Sequence, residues 1–315
     1  MPTINNSLGV VTEGVTTGVL SAENKDFYER TLLTRLIGSL KYAEYGEKKH
    51  MPKNEGDTIN LRRINSLSLP TKPLTEGVTP DGNNMTITTL RATVEQYGDY
   101  CVITDKLDLM GIDPIITETV ELLGEQAGEL IDSVVRDIIY AGTSVQYAGG
   151  KADRNSLTSA DVITGTDIKK AVRTLRSNKA KPFSDGYFRI FVDPSVAYDI
   201  MEDKLWQDVS KYNGGQKIEK GEIGKIHGAK AIEVSNPKTY EGNGGLEIHG
   251  ALVFGKGAYA VVDVAGSKKP EIIIKNFGYG DDPLNQRASV GWKTLFTAVR
   301  LQELAMTRIE CAVSE

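Results

Sequence analysis

Three histidines and two cysteines are the side chains in this 315-residue chain best suited to nucleophilic or metal chemistry. A metal centre needs several such ligands at short or helical spacing, and a Cys/His nucleophile pair needs the fold to bring the two together. His50, His227 and His249 lie far apart and form no i, i+4 pair. His227 and His249 stand beside Gly228 and Gly250 at expected strand ends, where a turn or surface histidine is the ordinary reading. Cys101 and Cys311 fall on separate patterns, so a pairing with a histidine in space stays open without any spacing to argue for it. Neither a Gly-x-Ser-x-Gly elbow nor a phosphate-binding lysine loop occurs. The expectation is a non-enzyme with no catalytic group, no cofactor and no metal. An enzyme whose site assembles only in three dimensions stays as the alternative.

Three further clusters have weak chemical meaning. Gly255-Lys256-Gly257-Ala258-Tyr259-Ala260 resembles a dinucleotide-binding glycine turn, which works only where a helix follows and turns its amides to the pyrophosphate. Here Val261-Val262-Asp263-Val264 follows, β-branched and strand-like, so a hairpin or bulge is expected. Asp281-Asp282 before Pro283 reads as a solvated turn, because a hard-cation cage needs more oxygen ligands nearby. Lys48-Lys49 with Arg62-Arg63 is the densest basic patch along the sequence, suited to phosphate, solvent or an ion pair across an interface.

Bulk composition narrows the class. With 37 Lys+Arg against 42 Asp+Glu the net charge is −5, which gives no overall pull towards phosphate backbones unless basic residues gather locally. The chain is 40% apolar and 25% charged, ordinary for a globular protein, and long enough for two domains. Two cysteines make no disulfide framework, the start Met1-Pro2-Thr3-Ile4 lacks a signal pattern, and no apolar run approaches the roughly 20 residues of a membrane span. Synthesis in a cytoplasm, with no membrane partner, is therefore expected.

The elements that would position any of these residues mix helix and strand. Residues 1–25 read as an extended arm. Asp26 to Tyr45 reads as an amphipathic helix through Phe27, Leu32, Leu33, Leu36, Ile37 and Leu40. Asp113 to Ala141 is the longest helical pattern, with Asp113 as N-cap, Pro114 at the first position and a stripe of Ile116, Val120, Leu123, Ala127, Leu130, Ile131, Val134 and Ile138. Gly124 and Gly128 on it either admit a neighbouring backbone or are tolerated at the surface. Thr166–Lys179 and the segment opened by Asp193-Pro194, running through Ala197, Ile200, Met201 and Leu205, are further helices. Strands are expected at Tyr187–Val192, from Ile223 onward, and in the closing run through Val290, Trp292, Thr294, Phe296, Ala298 and Ala305 to Val313. Without a regular βαβ beat, the class is α+β.

Residues 57–105 are the segment least able to bury itself. Thr58–Ile64 and a return arm from Met85 through Ile87, Val94, Tyr97 and Tyr100 to Ile103 alternate like strands around a loop rich in Pro and Gly. An isolated two-stranded ribbon is marginal in water, so this one is expected to find its partner on another molecule. Ile59, Leu61, Leu69, Lys72, Leu74 and Glu76 are the expected contacts to a neighbouring subunit.

Five strings in order carry a family likeness: Phe27-Tyr28-Glu29-Arg30-Thr31-Leu32-Leu33, Gly56-Asp57-Thr58-Ile59, Leu74-Thr75-Glu76-Gly77-Val78-Thr79-Pro80, Gln96-Tyr97-Gly98-Asp99-Tyr100 and Gly291-Trp292-Lys293. With the order of elements, they resemble the major capsid protein of tailed bacteriophages, of the Hong Kong 97-type fold, in the branch related to the podovirus N-four capsid protein. The resemblance implies an arm at 1–25, a helix segment at 26–52 and an extended loop at 53–104. It further implies a peripheral domain with its spine helix at 105–154, an axial domain at 155–285 and closing strands at 286–315. It implies self-assembly into pentamers and hexamers of an icosahedral shell around double-stranded DNA, held by weak non-specific contact. A portal and separate scaffolding or decoration proteins would be partners, and the virion the location. The shell of a bacterial encapsulating compartment shares the fold and is the alternative.

Overall fold

The computed structural model describes residues 22–52, 54, 56–65, 67, 69, 73, 76–77, 79, 82–110, 115–203, 224–264, 270–279 and 282–314. Most of the expected arm, with Lys72, Leu74, Asp113, Pro114, Leu205, Ile223 and Asp281, lies outside the described residues. In chain order the elements begin with α1 (Ala22–Ser39), β1 (Glu47–Met51), β2 (Thr58–Ile64), β3 (Ile87–Thr93), β4 (Glu95–Thr104), α2 (Asp105–Met110) and α3 (Ile115–Tyr140). Next come β5 (Val145–Tyr147), α4 (Gly165–Ser177), β6 (Phe188–Val192), α5 (Pro194–Glu202), β7 (Lys225–Ile226), β8 (Ala229–Glu233) and β9 (Thr239–Glu241). The last are β10 (Glu247–Phe254), β11 (Tyr259–Val264), β12 (Glu271–Lys275), β13 (Arg287–Arg300) and β14 (Met306–Cys311). The class is α+β. The chain divides into two compact units, one of Met1–Gly38, Tyr97–Ala127 and Lys269–Thr294, the other of Ser39–Gln96, Gly128–Lys268 and Leu295–Glu315.

The larger unit is built on a sheet in the order β5-β14-β10-β6-β8-β7, with β9 also on β10. β10 is its central strand. Antiparallel to β14, β6 and β9, it is buried at every residue after Glu247, as a strand covered on both faces must be. Helix α4 packs its apolar face of Ile168, Ala171, Val172 and Leu175 against β14 and β10 and turns its charged face outward. An aromatic cluster fills the core. Tyr42 and Phe191 ring centroids are 4.8 Å apart, Phe191 and Phe254 4.7 Å, and Phe254 and Tyr259 5.6 Å. Each buried phenol finds an acceptor: Tyr42 donates to the carbonyl of Asn236, Tyr140 to that of Gly250, and Tyr259 to that of Tyr42.

In the smaller unit, α1 lies against the first half of α3, with Leu32, Leu36, Val120, Leu123 and Ala127 buried. At Gly124 a Cβ would stand 2.6 Å from the Leu32 carbonyl oxygen, so the glycine admits the neighbouring backbone; the surface reading of Gly124 is excluded. β12 and β4 both pair with β13.

Four expectations need correction. The first helix ends at Ser39 rather than Tyr45, because Tyr42 is drawn fully into the core by its hydrogen bond and aromatic partners. Along α3 the buried line runs Ile131, Val135, Ile139 rather than Ile131, Val134, Ile138, since repeated steps of four follow the 3.6-residue turn on that side. The return arm of the ribbon is two strands: β3 pairs with β2, while β4 belongs to β13. An alternating pattern fits any partner of matching pleat, so the break at Val94 was not visible as a change of partner. The Gly255–Gly257 run is a turn from β10 into β11 with Gly257 at φ 73°, but those strands join different sheets, so the expected hairpin is absent.

Candidate functional site

His249 is buried, contrary to the surface position expected of it, because it sits inside β10 rather than at a strand end. The β10–β6 register, Leu252 opposite Phe191, brings His249 level with the start of α5 when continued. There Asp193 caps α5 by accepting from the Val196 N–H, and its Oδ2 lies 2.7 Å from His249 Nδ1. That hydrogen bond raises the imidazole pKa above its ordinary value, outweighing the opposing effect of burial. Cys311 is the register partner of His249 on β14.

A buried Asp, His and Cys side by side suggest a nucleophile relay, but the geometry denies it. The Cys311 sulfur lies 3.7 Å from the backbone carbonyl oxygen of His249. Burial pushes the thiol pKa far above its ordinary value, and a thiol held protonated is a poor nucleophile. The group joins β6, α5, β10 and β14. Spacing gave no sign of it; only Asp193-Pro194, read as a helix start, pointed to one of its members.

The other candidates have structural partners. His50 on β1 pairs with Asp263 on β11, its register partner. His227 occupies the turn between β7 and β8, as expected. Asp282 accepts from the Arg287 N–H. Of the basic residues Lys48-Lys49 and Arg62-Arg63, Lys49 pairs with Glu47 and Arg63 donates to the Leu301 carbonyl, while Lys48 and Arg62 are exposed. Among the described residues no group of three or more His, Cys, Asp or Glu is placed to hold a metal ion. No helix of the described residues is long and apolar enough to cross a membrane.

Glu310 on β14 is fully buried and is held by Arg154 at 2.7 Å through both carboxylate oxygens, with Arg308 Nε at 2.8 Å. Both guanidinium groups lie over the Tyr240 ring, at 4.1 and 5.0 Å. Such a network is satisfied only when every member is present. Arg154 falls between the expected helices Asp113–Ala141 and Thr166–Lys179, outside any patterned segment, so its role was not legible.

The ribbon carries one stretch of exposed apolar side chains; Tyr100, Val102, Leu107, Leu109 and Met110 make up another along the chain. β2 and β3 pair antiparallel from Thr58↔Thr93 to Ile64↔Ile87 and with no other strand among the described residues. Of the expected contacts, Ile59 faces Ala92 and Leu61 faces Leu90, all but Ala92 half-buried, while Leu69 is 80% exposed and Glu76 is exposed. Lys72 and Leu74 lie outside the described residues. Beyond them, Ile64, Leu67, Met85 and Ile87 are also exposed. They extend the exposed apolar set at the Ile64↔Ile87 end of the ladder beyond the contacts expected from the sequence.

In the smaller unit two distant strings meet. A Cβ on Gly98 would stand 2.5 Å from the Trp292 carbonyl oxygen, and one on Gly291 would stand 2.8 Å from Tyr100 Cβ. Gln126 of α3 joins them, donating to Asp99 at 2.7 Å and accepting from Trp292 Nε1 at 3.2 Å. These are two of the strings on which the family likeness rested.

Comparison with known proteins agrees with that likeness. A family model described as phage capsid protein matches residues 87–309. Among curated proteins none matches the sequence. The fold is similar to that of the cyanophage Pam1 capsid, with a TM-score of 0.69 and 13% identity over 90% of this chain and 93% of that one. It is similar to the capsid of Ralstonia phage GP4, with a TM-score of 0.68 and 13% identity over 88% of this chain and 92% of that one. A virus-like particle from Pyrococcus furiosus gives a lower TM-score of 0.54, at 11% identity over 91% of this chain and 99% of that one.

Proposed function

This chain belongs to the phage capsid protein family and is a shell subunit of the Hong Kong 97-type fold, and on that basis we propose how it assembles. Copies close as pentamers and hexamers into an icosahedral shell around the double-stranded DNA of a tailed phage. The observation that carries this reading is the ribbon: two strands paired only with each other among the described residues, ending in exposed Ile64, Leu67, Leu69, Met85 and Ile87. A lone ribbon with an apolar end is marginal in water and gains stability by lying on another molecule. In a closed shell the receiving molecule is a sister copy, and the contact repeats throughout, so each can be weak while the whole persists.

In the family's terms, residues 53–104 are the extended loop, 105–154 with 286–315 the peripheral domain, and 155–285 the axial domain. Residues 1–25 are the arm. Ile59, Leu61, Leu69, Lys72, Leu74 and Glu76 contribute to the subunit contact. The branch is that of the podovirus N-four capsid protein. The chain works as a building block rather than a catalyst, assembles in the host cytoplasm, and meets a portal and separate scaffolding or decoration proteins. Electron microscopy of the purified full chain tests the reading: uniform polyhedral particles support it, and small discrete oligomers only would overturn it.

A further inference from the structure

Helix α4 carries a second surface feature. Its inward face is buried, while Lys169, Arg173 and Arg176 follow one another at steps of four and three residues down the exposed side. The steps span about 10 Å of helix axis. With Thr166, Lys170, Ser177 and His227 they line an open cleft of about 580 Å³ floored by Val172. Among the described residues, Asp167 and Asp203 are already engaged. Asp167 accepts from the Thr164 hydroxyl and pairs with Lys170, and Asp203 accepts from the Gly165 N–H at 2.6 Å. Lys169, Arg173 and Arg176 have no ion-pair partner among the described residues. Lys179 and Lys181, both exposed, follow in the chain past the end of the helix. In a chain of net charge −5 this is a local reversal of sign.

We propose that this cleft binds the phosphate backbone of duplex DNA, through Lys169, Arg173 and Arg176. The inference rests on the reading of the chain as a container for DNA and names the surface by which the wall touches its contents. Three cations in a row without an ion-pair partner among the described residues offer charge-assisted contacts to successive phosphates without reading base sequence. Their small number keeps the contact weak enough to release, because affinity falls steeply with salt when counterions are displaced. Helical spacing alone does not distinguish this from an acidic helix of a neighbouring copy. The open cleft and the guanidinium groups, whose forked donors match phosphate oxygens, favour phosphate.

Fluorescence anisotropy of the full-length protein with a labelled 20-base-pair duplex of arbitrary sequence, across salt concentrations, tests the site. For three neutralised phosphates the log–log salt slope is about −2.7, so affinity falls about 40-fold between 50 and 200 mM salt. The triple variant Lys169→Gln, Arg173→Gln, Arg176→Gln should lose this binding while keeping the wild-type Tm, and Arg173→Lys should retain most of it. Unchanged affinity and slope in the triple variant overturn the proposal. So does a wild type that binds no duplex, including the case where the triple variant stops assembling because the cleft seats another subunit. Particle formation is scored separately by electron microscopy. Normal particles without duplex affinity sink the cleft alone, whereas variant-sensitive binding without particles keeps the cleft and sinks the shell.

Discussion

His249 Nδ1 and Asp193 Oδ2 lie 2.7 Å apart in a buried site, and the hydrogen bond between them holds the imidazole protonated above its ordinary pKa. With the folded-state pKa raised, the stabilisation is fully present below the unfolded value of about 6.5 and is lost as pH rises through the folded one. Urea unfolding should therefore show the pair's contribution, about 1–3 kcal/mol, at pH 6, with a decline towards pH 9. In His249→Gln that decline should flatten. An equal decline in the variant would show that another group carries it.

Gly124→Ala should destabilise the subunit even though alanine is the better helix former by about 1 kcal/mol. The added Cβ meets the Leu32 backbone at 2.6 Å, which only a shift of α1 against α3 relieves. A net loss of about 1–3 kcal/mol, read as a lower Tm, is the expected outcome. An unchanged or higher Tm would mean that the two helices are free to part.

Asp132, buried on α3, accepts from the backbone N–H groups of Lys41 and Ala43 just after α1 ends. Burial raises its pKa despite those donors. Asp132→Ala strands the donors and should cost about 2–4 kcal/mol, whereas Asp132→Asn keeps one acceptor and should cost less. Chemical denaturation of both variants checks the order, and equal losses would contradict the account.

A thiol reagent should label one of the two cysteines in the native unassembled subunit. Cys101 on β4 is exposed, and Cys311 is buried with its pKa raised by that burial. Peptide mapping after brief labelling should find Cys101 alone modified, with Cys311 reacting only after denaturation. Rapid native labelling of Cys311 would place it in a different environment.

Much of the fold was legible because periodicity reports burial directly. The Val120–Leu123–Ala127–Ile131 stripe marked α3, and Asp193-Pro194 marked the start of α5. What was not legible depends on which elements meet. Tyr97–Ile103 alternates equally well for β3's ribbon or for β13, so its partner could not be read. Asp193, His249 and Cys311 are each ordinary alone and become a cluster only through the registers of β10 with β6 and β14. Lys169, Arg173 and Arg176 follow an exposed helical stripe in the sequence. Their importance appears only when nearby acids among the described residues prove to be engaged elsewhere.

A cryo-electron microscopy reconstruction of the assembled particle tests the role of the ribbon most directly. Ile64, Leu69, Met85 and Ile87, exposed in the isolated subunit, should lie buried beneath or across a sister copy. A closed shell in which those side chains still face solvent would contradict the claim that the ribbon is completed by its neighbours.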